Sequence, residues 1–374
     1  MTDIEIRRHP PGGDISDFLA AARVVFADDP NWIPPLNILQ KDQLSPKSPF
    51  FEHAEVMFFT ARRGGELVGR ISAQIDREHL RRYGDDVGFF GFFDTVDDVD
   101  VAAALLNAAN QWLKQRNMKR LRGPISLSIN QEVGLLVEGF STPPTVMMPH
   151  SRPYQGAIYE KLGLEKAKDL FAWRWDVAPG LPPRALRAHS EMKRLGVTFR
   201  EVNLTTEIEE LVAIQDDAWQ DNWGHVSMTP AEAKQLRSDL SLIIDPAIAI
   251  VADIDGELAG MAIAIPNLNE IIRDFSGKLT PTNVAKLLWR LKVDHAKSAR
   301  LALLGIKGEY RKQKKYMPLA LAMISEIARR GYQHGYEWSE LSWTVEDNGP
   351  VHALIKMAGG YMYKRYRVYE KDVV

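Results

Sequence analysis

The sequence predicts a mixed α/β fold, an α+β mixed sheet covered by helices, that is repeated in two similar halves. Strand-like and helix-like segments alternate along the whole chain, which is the pattern of such layered folds. The Pro/Gly-rich stretch 178–183 divides the chain near its middle and is the best linker candidate. We therefore expect one domain over 1–177 and a second over 184–374.

Two segments of the first half recur in the second half, in the same order. Residues 57–75 and 248–266 are both β-rich runs around a turn, and they lie 191 residues apart. Residues 157–164 and 353–360 resemble each other at a separation of 196 residues. Two matches at nearly equal spacing indicate a duplicated domain with a small insertion in the second copy.

Hydrophobic periodicity places the elements of both halves. In the first half we predict a strand at Gly88–Phe93, a helix at Val101–Arg116, and strands at Arg120–Leu127 and Phe171–Val177. The second half has the same kinds of element and an insertion over about 267–298. Its predicted elements are strand Val197–Val202, helix Glu207–Trp219, hairpin 247–265, helix Val284–Val293, strand Arg300–Ile306, helix Pro318–Tyr332, strand Ser339–Val345, helix Gly349–Met357 and two C-terminal strands.

Composition excludes several classes of protein. The 374 residues are 45% hydrophobic and 26% charged, which is ordinary for a globular chain. The absence of cysteine excludes a disulfide framework and a thiolate nucleophile, and the nine histidines show no ligand spacing, so we expect no metal. A net charge of −2 argues against a nucleic-acid partner. With neither a signal peptide nor a membrane-spanning stretch, the expected location is the cytoplasm.

The most informative segment is a cluster of cations between a predicted buried strand and a helix that begins near Pro318. A helix N-terminus offers unpaired N–H groups and the positive end of a dipole, so it suits a phosphate. We therefore predict a diphosphate site here, with a solvated basic turn as the alternative. The cations are Arg311, Lys312, Lys314 and Lys315.

This order of strand, basic loop, helix, strand and short helix resembles the GNAT superfamily of acyl-CoA N-acyltransferases. Arg311 matches the first position of the family's phosphate loop, whereas Lys314 and Tyr316 stand where glycine or a small residue is usual. The segment from Glu346 through Asn348 and onward is similar to the closing elements of the family. The resemblance implies two tandem GNAT-like domains, the second of which binds acyl-CoA through Ile306, Gly308, Arg311, Lys312, Lys314, Lys315 and Asn348.

A narrower resemblance covers nearly the whole chain. Segments such as FFGFFDTVDD (89–98), NWGHVSMTPAE (222–232) and LLGIKGEYRKQ (303–313) are similar to a bacterial group of tandem GNAT proteins that includes bacterial ceramide synthases. Those enzymes transfer a fatty acyl group from acyl-CoA to the amine of a long-chain sphingoid base. The resemblance implies acyl-CoA and an amine acceptor as partners, with lipid as one acceptor class, and peripheral contact with the inner membrane.

The matching loop of the first half is acidic, with four aspartates within 94–100. Such a loop repels a diphosphate, so we expect that this half does not bind the cofactor. Tyr159 nevertheless stands where GNAT enzymes often place the tyrosine that protonates the leaving thiolate, and Ile355 occupies that place in the second half. The first half is then either degenerate or recruited for the acceptor.

Direct transfer to an amine requires a base and a donor for the oxyanion. Glu340, Glu346 and Glu309 flank the predicted cofactor strands and are candidate bases, with surface carboxylates as the alternative. His225 follows two tryptophans and is a further candidate, with a packed structural histidine as the alternative. We expect the backbone N–H groups near 306–308 to bind the oxyanion.

Five other residues are candidates for acceptor binding. Two tryptophans at a spacing of four residues fit one face of a helix, and a core role is the alternative. Of the others, His150 and Arg152 are expected to line the cleft between the two halves, and Asn130 ends a first-half strand. The five residues are Trp219, Trp223, His150, Arg152 and Asn130.

Two further functions stay open from the sequence. The basic loop also suits a nucleotide pyrophosphohydrolase, and 200–202 opens like a Nudix box, but the paired glutamates that the box needs are absent. A non-catalytic acyl-CoA or lipid sensor is favoured by the missing loop glycines and by Ile355. Turnover of acyl-CoA with a panel of amines separates the enzyme from the sensor.

Overall fold

The computed structural model describes residues 3–374, which form two compact units. Unit 1 comprises the chain up to Leu170 together with Phe275–Thr280 and Lys364–Val374. Unit 2 comprises Phe171–Asp274 and Pro281–Tyr363. Helices and strands alternate in both units, so the predicted mixed α/β class is confirmed.

The first part of unit 1 runs from a strand to a helix. Its elements are β1 (Ile4–His9), α1 (Ser16–Val25), α2 (Asn37–Gln43), β2 (Ala54–Arg63), β3 (Glu66–Asp76), α3 (Arg77–Tyr83), β4 (Val87–Thr95), α4 (Val99–Lys114), β5 (Arg120–Gly123), β6 (Ile125–Ser126), β7 (Glu132–Val133), β8 (Leu135–Glu138) and α5 (Gln155–Lys161). The strand β9 (Glu165–Asp176) follows and contributes residues to both units.

Unit 2 contains the remaining elements in chain order. They are α6 (Pro183–Arg194), β10 (Thr198–Glu201), α7 (Leu204–Trp219), α8 (Pro230–Ile243), β11 (Ala249–Ile254), β12 (Glu257–Pro266), α9 (Leu268–Ile272), α10 (Pro281–Trp289), β13 (Ser298–Ile306), α11 (Gly308–Arg311), α12 (Leu319–Gln333), β14 (Trp338–Val345), α13 (Gly349–Met357) and β15 (Tyr361–Asp372). The last strand also contributes residues to both units.

Each unit builds its sheet around one parallel pair of strands. In unit 1 the order is β1-β2-β3-β4-β5-β15, and β4 and β5 are parallel. In unit 2 the order is β9-β14-β13-β12-β11-β10, and β13 and β14 are parallel. The last strand of the chain thus pairs with β5 of the first half, and the last strand of the first half lies beside β14.

The structure departs from the predicted elements in three places. The C-terminus forms one long strand rather than two, because residues 361–363 belong to unit 2 and residues 364–372 pair in unit 1. The predicted strand Arg120–Leu127 is interrupted at Pro124, which has no N–H to donate to a ladder. The Pro/Gly stretch 178–183 lies inside unit 2, between β9 and the first turn of α6.

Each unit has its own hydrophobic core. In unit 1, α4 packs on the sheet, and Trp112 and Tyr159 are among the buried aromatic residues. In unit 2, α12 packs on the sheet through a run of buried side chains from Leu319 to Ala328. On strand β13, a Cβ atom added at Gly305 would lie 3.0 Å from a side-chain carbon of Ile214. Helix α7 therefore lies directly on the strand that carries the candidate site.

Candidate active site

The candidate active site of unit 2 lies where the parallel strands β13 and β14 separate. Their ladder joins 298–301 to 338–341 and then ends, which leaves a notch between 302–306 and 342–345. A β-bulge marks the same place, because Leu301 and Leu303 face consecutive residues of β12 and leave Ala302 unpaired. The notch exposes strand backbone that a ladder partner covers elsewhere in the sheet.

Backbone N–H groups of β13 alternate between β12 and this notch. The N–H of Lys307 donates to the carbonyl of Ala259 at 2.9 Å, so it points toward β12. Alternation along the strand then directs the N–H groups of Leu304 and Ile306 toward the notch. Of the N–H groups predicted near 306–308, that of Ile306 therefore points into the notch and that of Lys307 does not. The N–H of Leu304 also points into the notch.

The N-terminus of α12 lies after the basic loop, and no side chain caps it. Pro318 is the N-cap residue, and the side chains of Lys312, Lys314 and Lys315 are exposed. Among residues 3–374, no backbone in the left-handed region occurs between 296 and 334. The lysine and tyrosine that replace the glycines of the GNAT loop thus adopt right-handed conformations without backbone strain.

Asp217 on α7 anchors the start of this loop. It accepts the backbone N–H of Gly308, and its carboxylate lies 3.8 Å from the guanidinium of Arg311. Arg311 also donates to the carbonyl of Ile306 at 2.9 Å. The N–H of Gly308 and the guanidinium of Arg311 are therefore engaged within the protein, although Arg311 is exposed like the three lysines of the loop. No sequence motif indicated Asp217, because it lies within an ordinary helical pattern.

A buried polar network surrounds Glu340 at the closed end of the notch. Glu340 is fully buried, and its two carboxylate oxygens accept hydrogen bonds from the hydroxyls of Ser342 and Tyr363. Arg300 on β13 donates to the Ser342 hydroxyl oxygen at 2.8 Å and is also buried. Glu340 was predicted as a candidate base, whereas its three partners were not identified from the sequence.

The other predicted carboxylates and Asn348 lie at the ends of neighbouring elements. Glu346 is half-buried directly after β14, and Glu309 is exposed on the single turn α11. The side chain of Asn348 caps α13 by accepting the N–H of Val351 at 3.3 Å. The cap gives Asn348 a structural role that leaves its predicted contact with acyl-CoA untested.

His352 on α13 is a candidate residue that sequence reasoning missed. Its Nε2 lies 3.1 Å from the hydroxyl of Thr344, which also accepts the indole N–H of Trp173 at 2.9 Å. Burial lowers the pKa of His352 below its ordinary value, so the imidazole is neutral at pH 7. Its position one turn after Asn348 was the signal available in the sequence.

His225 and its neighbouring tryptophans lie at the end of α7. The buried His225 ring contacts Asp216 on α7 at 3.1 Å and packs edge-on against Trp219. The helix ends at Trp219, so Trp223 does not share its face as predicted, and both rings are half-buried. These contacts favour the structural alternative for His225.

In unit 1 the loop that corresponds to the basic loop carries carboxylates instead of cations. Asp98 caps α4 by accepting the N–H groups of Asp100 and Val101, and it pairs with Arg63. The helix N-terminus that suits a phosphate in unit 2 is therefore occupied in unit 1 by a protein carboxylate. Tyr159 is buried and donates to the carbonyl of Phe93 at 3.2 Å, and burial raises its pKa well above the ordinary value. A tyrosine so buried is a poor proton donor within this unit.

The remaining candidates of unit 1 contact the protein itself. His150 and Arg152 both contact Asp29, at 3.0 Å and 3.5 Å, in the turn after α1. Burial lowers the pKa of His150, although Asp29 opposes that shift. The backbone N–H of Asn130 donates to the Ser128 hydroxyl in the turn after β6. These contacts hold turns together, and acceptor binding by the three residues stays a prediction.

An apolar cavity lies under the C-terminal half of α12. Its volume is about 40 Å³, it is partly open to solvent, and nearly all of its lining atoms are apolar. Leu301 and Leu341, the last paired residues before the notch opens, line one end of it. The other end is lined by aromatic residues, namely Trp175, Tyr332, Tyr336 and Trp338. The cavity therefore begins where the notch closes.

Two further features of residues 3–374 concern metal ions and membranes. No group of three or more His, Asp or Glu side chains is arranged to hold a metal ion. No helix within the same range is both long and apolar enough to cross a bilayer.

Comparison with known structures identifies the fold. A tandem GNAT protein from the clavulanic acid biosynthesis pathway superimposes with a TM-score of 0.59 at 15% identity, covering 99% of each chain. A GCN5-related N-acetyltransferase from Sphaerobacter thermophilus gives 0.53 at 13% identity, covering 98% of this chain and 96% of its own. The predicted tandem GNAT fold is confirmed.

Comparison with known sequences identifies the family. The bacterial ceramide synthase of Caulobacter vibrioides is 42% identical over 363 residues, which cover 96% of this chain and 94% of that protein. The chain belongs to its family of tandem GNAT proteins. Another family member, protein YghO of Escherichia coli, is 39% identical over 96% of this chain and 93% of its own length. No protein-family model matches the chain.

Proposed function

We propose that this protein transfers an acyl group from acyl-CoA to an amine at the notch of unit 2. The observation that carries the proposal is the coincidence of two features of β13. The strand separates from its parallel neighbour, and the loop that follows it leads three exposed lysines to an uncapped helix N-terminus. One region thus offers donors for a carbonyl oxygen, and the adjacent region offers positive charge for a diphosphate.

The donor is held in two places in this proposal. Its diphosphate binds the first-turn N–H groups of α12 and the side chains of Lys312, Lys314 and Lys315. Its thioester carbonyl accepts from the notch N–H groups of Leu304 and Ile306. Negative charge that develops on this oxygen during attack is stabilised by those two donors.

The acceptor amine approaches the thioester from the side of the Glu340 network. Its nitrogen forms the new bond to the carbonyl carbon, the carbon–sulfur bond breaks, and CoA leaves as a thiolate. The neutral amine loses one proton, which passes through the hydroxyl of Ser342 or Tyr363 to Glu340. The thiolate takes one proton from solvent, and Glu340 returns its proton to solvent after the product leaves. Glu340 is fully buried, so we assign the contact with the amine to the hydroxyls and the proton storage to the carboxylate.

The apolar cavity under α12 supports an apolar acyl chain as the transferred group. In this proposal the chain starts at the thioester carbon in the notch and enters the cavity at Leu301 and Leu341, which are the last ladder pair before the notch and line the cavity. The cavity follows β14 from Leu341 to Trp338, a distance of roughly 10 Å at the usual strand rise. That length holds about six to eight carbons of an extended chain.

A long-chain sphingoid base is the acceptor we propose for this site. The support is the 42% identity to the bacterial ceramide synthase over nearly the whole chain. A lipid acceptor also implies that the protein works at a membrane surface. Unit 1, whose helix N-terminus is capped by Asp98, has no role in binding the donor in this proposal.

The experiment is an assay of CoA release by the purified protein with a thiol reagent. The chain has no cysteine, so the reagent reports only the released CoA. We expect release from long-chain acyl-CoA with sphinganine and little release with short, polar amines. Replacing Lys312, Lys314 and Lys315 by Glu should weaken CoA binding in calorimetry, while the same change at the exposed Lys193 and Lys234 should not.

The same assay separates the enzyme from a non-catalytic acyl-CoA sensor. The sensor has one observation in its favour, since Ile355 stands where many GNAT enzymes have a tyrosine. Tight binding of acyl-CoA without CoA release for any amine would support the sensor. Release with a polar amine but not with sphinganine would retain the enzyme and reject the lipid acceptor.

A further inference from the structure

Helix α10 and the π-helical turn that follows it (Arg290–Asp294) fully bury no side chain. Several large apolar residues of this segment are exposed, with Leu288 53% and Trp289 62% accessible. Val284 lies one turn before Leu288, and Val293 one turn after Trp289, and both are exposed. Single exposed apolar residues are common, but a contiguous group of this kind marks a surface that contacts a partner.

The side of the same segment that faces the protein is mixed, with Leu287, Arg290 and Leu291 half-buried. Lys286 donates to Asp274 at 3.0 Å, and Arg290 donates to the carbonyl of Ile271 at 2.6 Å and to Asp274. In an ordinary surface helix the apolar side packs inward and the cations face water. Here Leu287 and Leu291 take the inner side with Arg290, and the four other large apolar residues named above are left exposed on the outer side.

Positive charge is concentrated around this apolar surface. Residues 273–297 contain six lysines and arginines and two aspartates, whereas the whole chain has a net charge of −2. Lys292 and Lys297 are exposed beside the apolar residues. An apolar stripe with an interfacial tryptophan and flanking cations matches the surface of an anionic lipid bilayer.

We propose that α10 and its π turn form a membrane-docking surface that lies in the interface of an anionic bilayer. The surface consists of Val284, Leu288, Trp289 and Val293, which enter the acyl boundary, and Lys292 and Lys297, which meet the headgroups. The inference rests on exposure, orientation and charge, and it does not depend on the proposed reaction. A segment of this length lies on a membrane and does not cross it.

The test is cosedimentation of the full-length protein with vesicles in the absence of acyl-CoA and amine. The probes are vesicles of phosphatidylcholine alone and of phosphatidylcholine with phosphatidylglycerol. We expect binding to the anionic vesicles that weakens as salt is added, since added salt screens the lysines. The variant Leu288→Ser, Trp289→Ser, Val293→Ser should bind at least about tenfold more weakly, because each side chain loses part of its burial.

Two further variants make the result specific. Lys292→Glu with Lys297→Glu should weaken binding to anionic vesicles and leave the low binding to neutral vesicles unchanged. Leu242→Ser on α8 removes an apolar residue that is 77% exposed elsewhere in unit 2 and should bind like the unchanged protein. Because all of these side chains are exposed, the melting temperatures should agree.

The proposal is overturned if the protein does not bind anionic vesicles, or if the triple variant binds as well as the unchanged protein. A concentration-dependent dimer in ultracentrifugation that the triple variant abolishes, without vesicle binding, would assign the surface to a second copy of the chain. Acyl transfer to detergent-solubilised sphinganine by a non-binding triple variant would leave the proposed function intact, so the two proposals fail separately.

Discussion

Removing the carboxylate of Asp217 should weaken the binding of CoA, although Asp217 does not touch the ligand. Asp217 accepts the N–H of Gly308 and lies beside Arg311, so it fixes the start of the basic loop. A hydrogen bond to a charged group contributes about 1.5–3 kcal/mol. The Asp217 side chain is 40% exposed, so we take the lower end, and the partly exposed pair with Arg311 adds a few tenths at most.

Asp217→Ala should remove about 1.5 kcal/mol of the free energy that stabilises the ordered conformation of the loop. The Kd for CoA should therefore rise by up to about tenfold. Calorimetric titration with CoA measures this, and Asp217→Asn should lose less because it keeps an acceptor oxygen. Asp221→Ala is the matched control, since that carboxylate is exposed just beyond the end of α7. Unchanged affinity of Asp217→Ala for CoA would refute the reasoning that this loop holds the diphosphate.

Three further predictions follow from other parts of unit 2. Burial alone would raise the pKa of Glu326, but Arg329 and Arg330 outweigh it and lower that pKa to about 2. Glu326→Gln should therefore lower the free energy of unfolding in urea by about 2–3 kcal/mol at pH 7. This difference should shrink as the pH falls from about 4.5 and disappear toward pH 2. Gly331→Phe should fill the cavity and lower the affinity for octanoyl-CoA about fourfold per excluded methylene, while the affinity for CoA stays the same. The control Gln333→Phe, on the exposed side of α12, should change neither affinity. Glu340→Gln should lower kcat by at least about a hundredfold with little change in the Kd for CoA, and a normal kcat would exclude Glu340 as the base.

Local patterns in the sequence were sufficient to predict most of the elements of unit 2. The helix at Gly349–Met357 has the predicted bounds, and α12 is displaced by a single residue at each end from the prediction. Both elements have continuous apolar periodicity and clear terminal residues, which are local signals. The exchange of the last strands was not predictable in this way, because pairing between distant strands depends on the whole sheet.

The site was predictable where it depends on chain order and not where it depends on packing. The cations after β13 and the position of Glu340 follow from the order of strand, loop and helix. Arg311 was expected to meet the phosphate, but in the fold it donates to Ile306. The roles of Asp217 and Tyr363 arise from contacts between elements distant in sequence, and no local pattern predicts such contacts.

The most direct test of the central claim is mass spectrometry of the product formed from octanoyl-CoA and sphinganine. The account predicts the N-octanoyl amide and one free CoA for each amide, with both lost in the variant that carries Glu at 312, 314 and 315. The same yield of amide from that variant would contradict the assignment of the donor site to unit 2. Absence of the amide, with octanoyl-CoA bound and unconsumed for every amine, would contradict the enzymatic function itself.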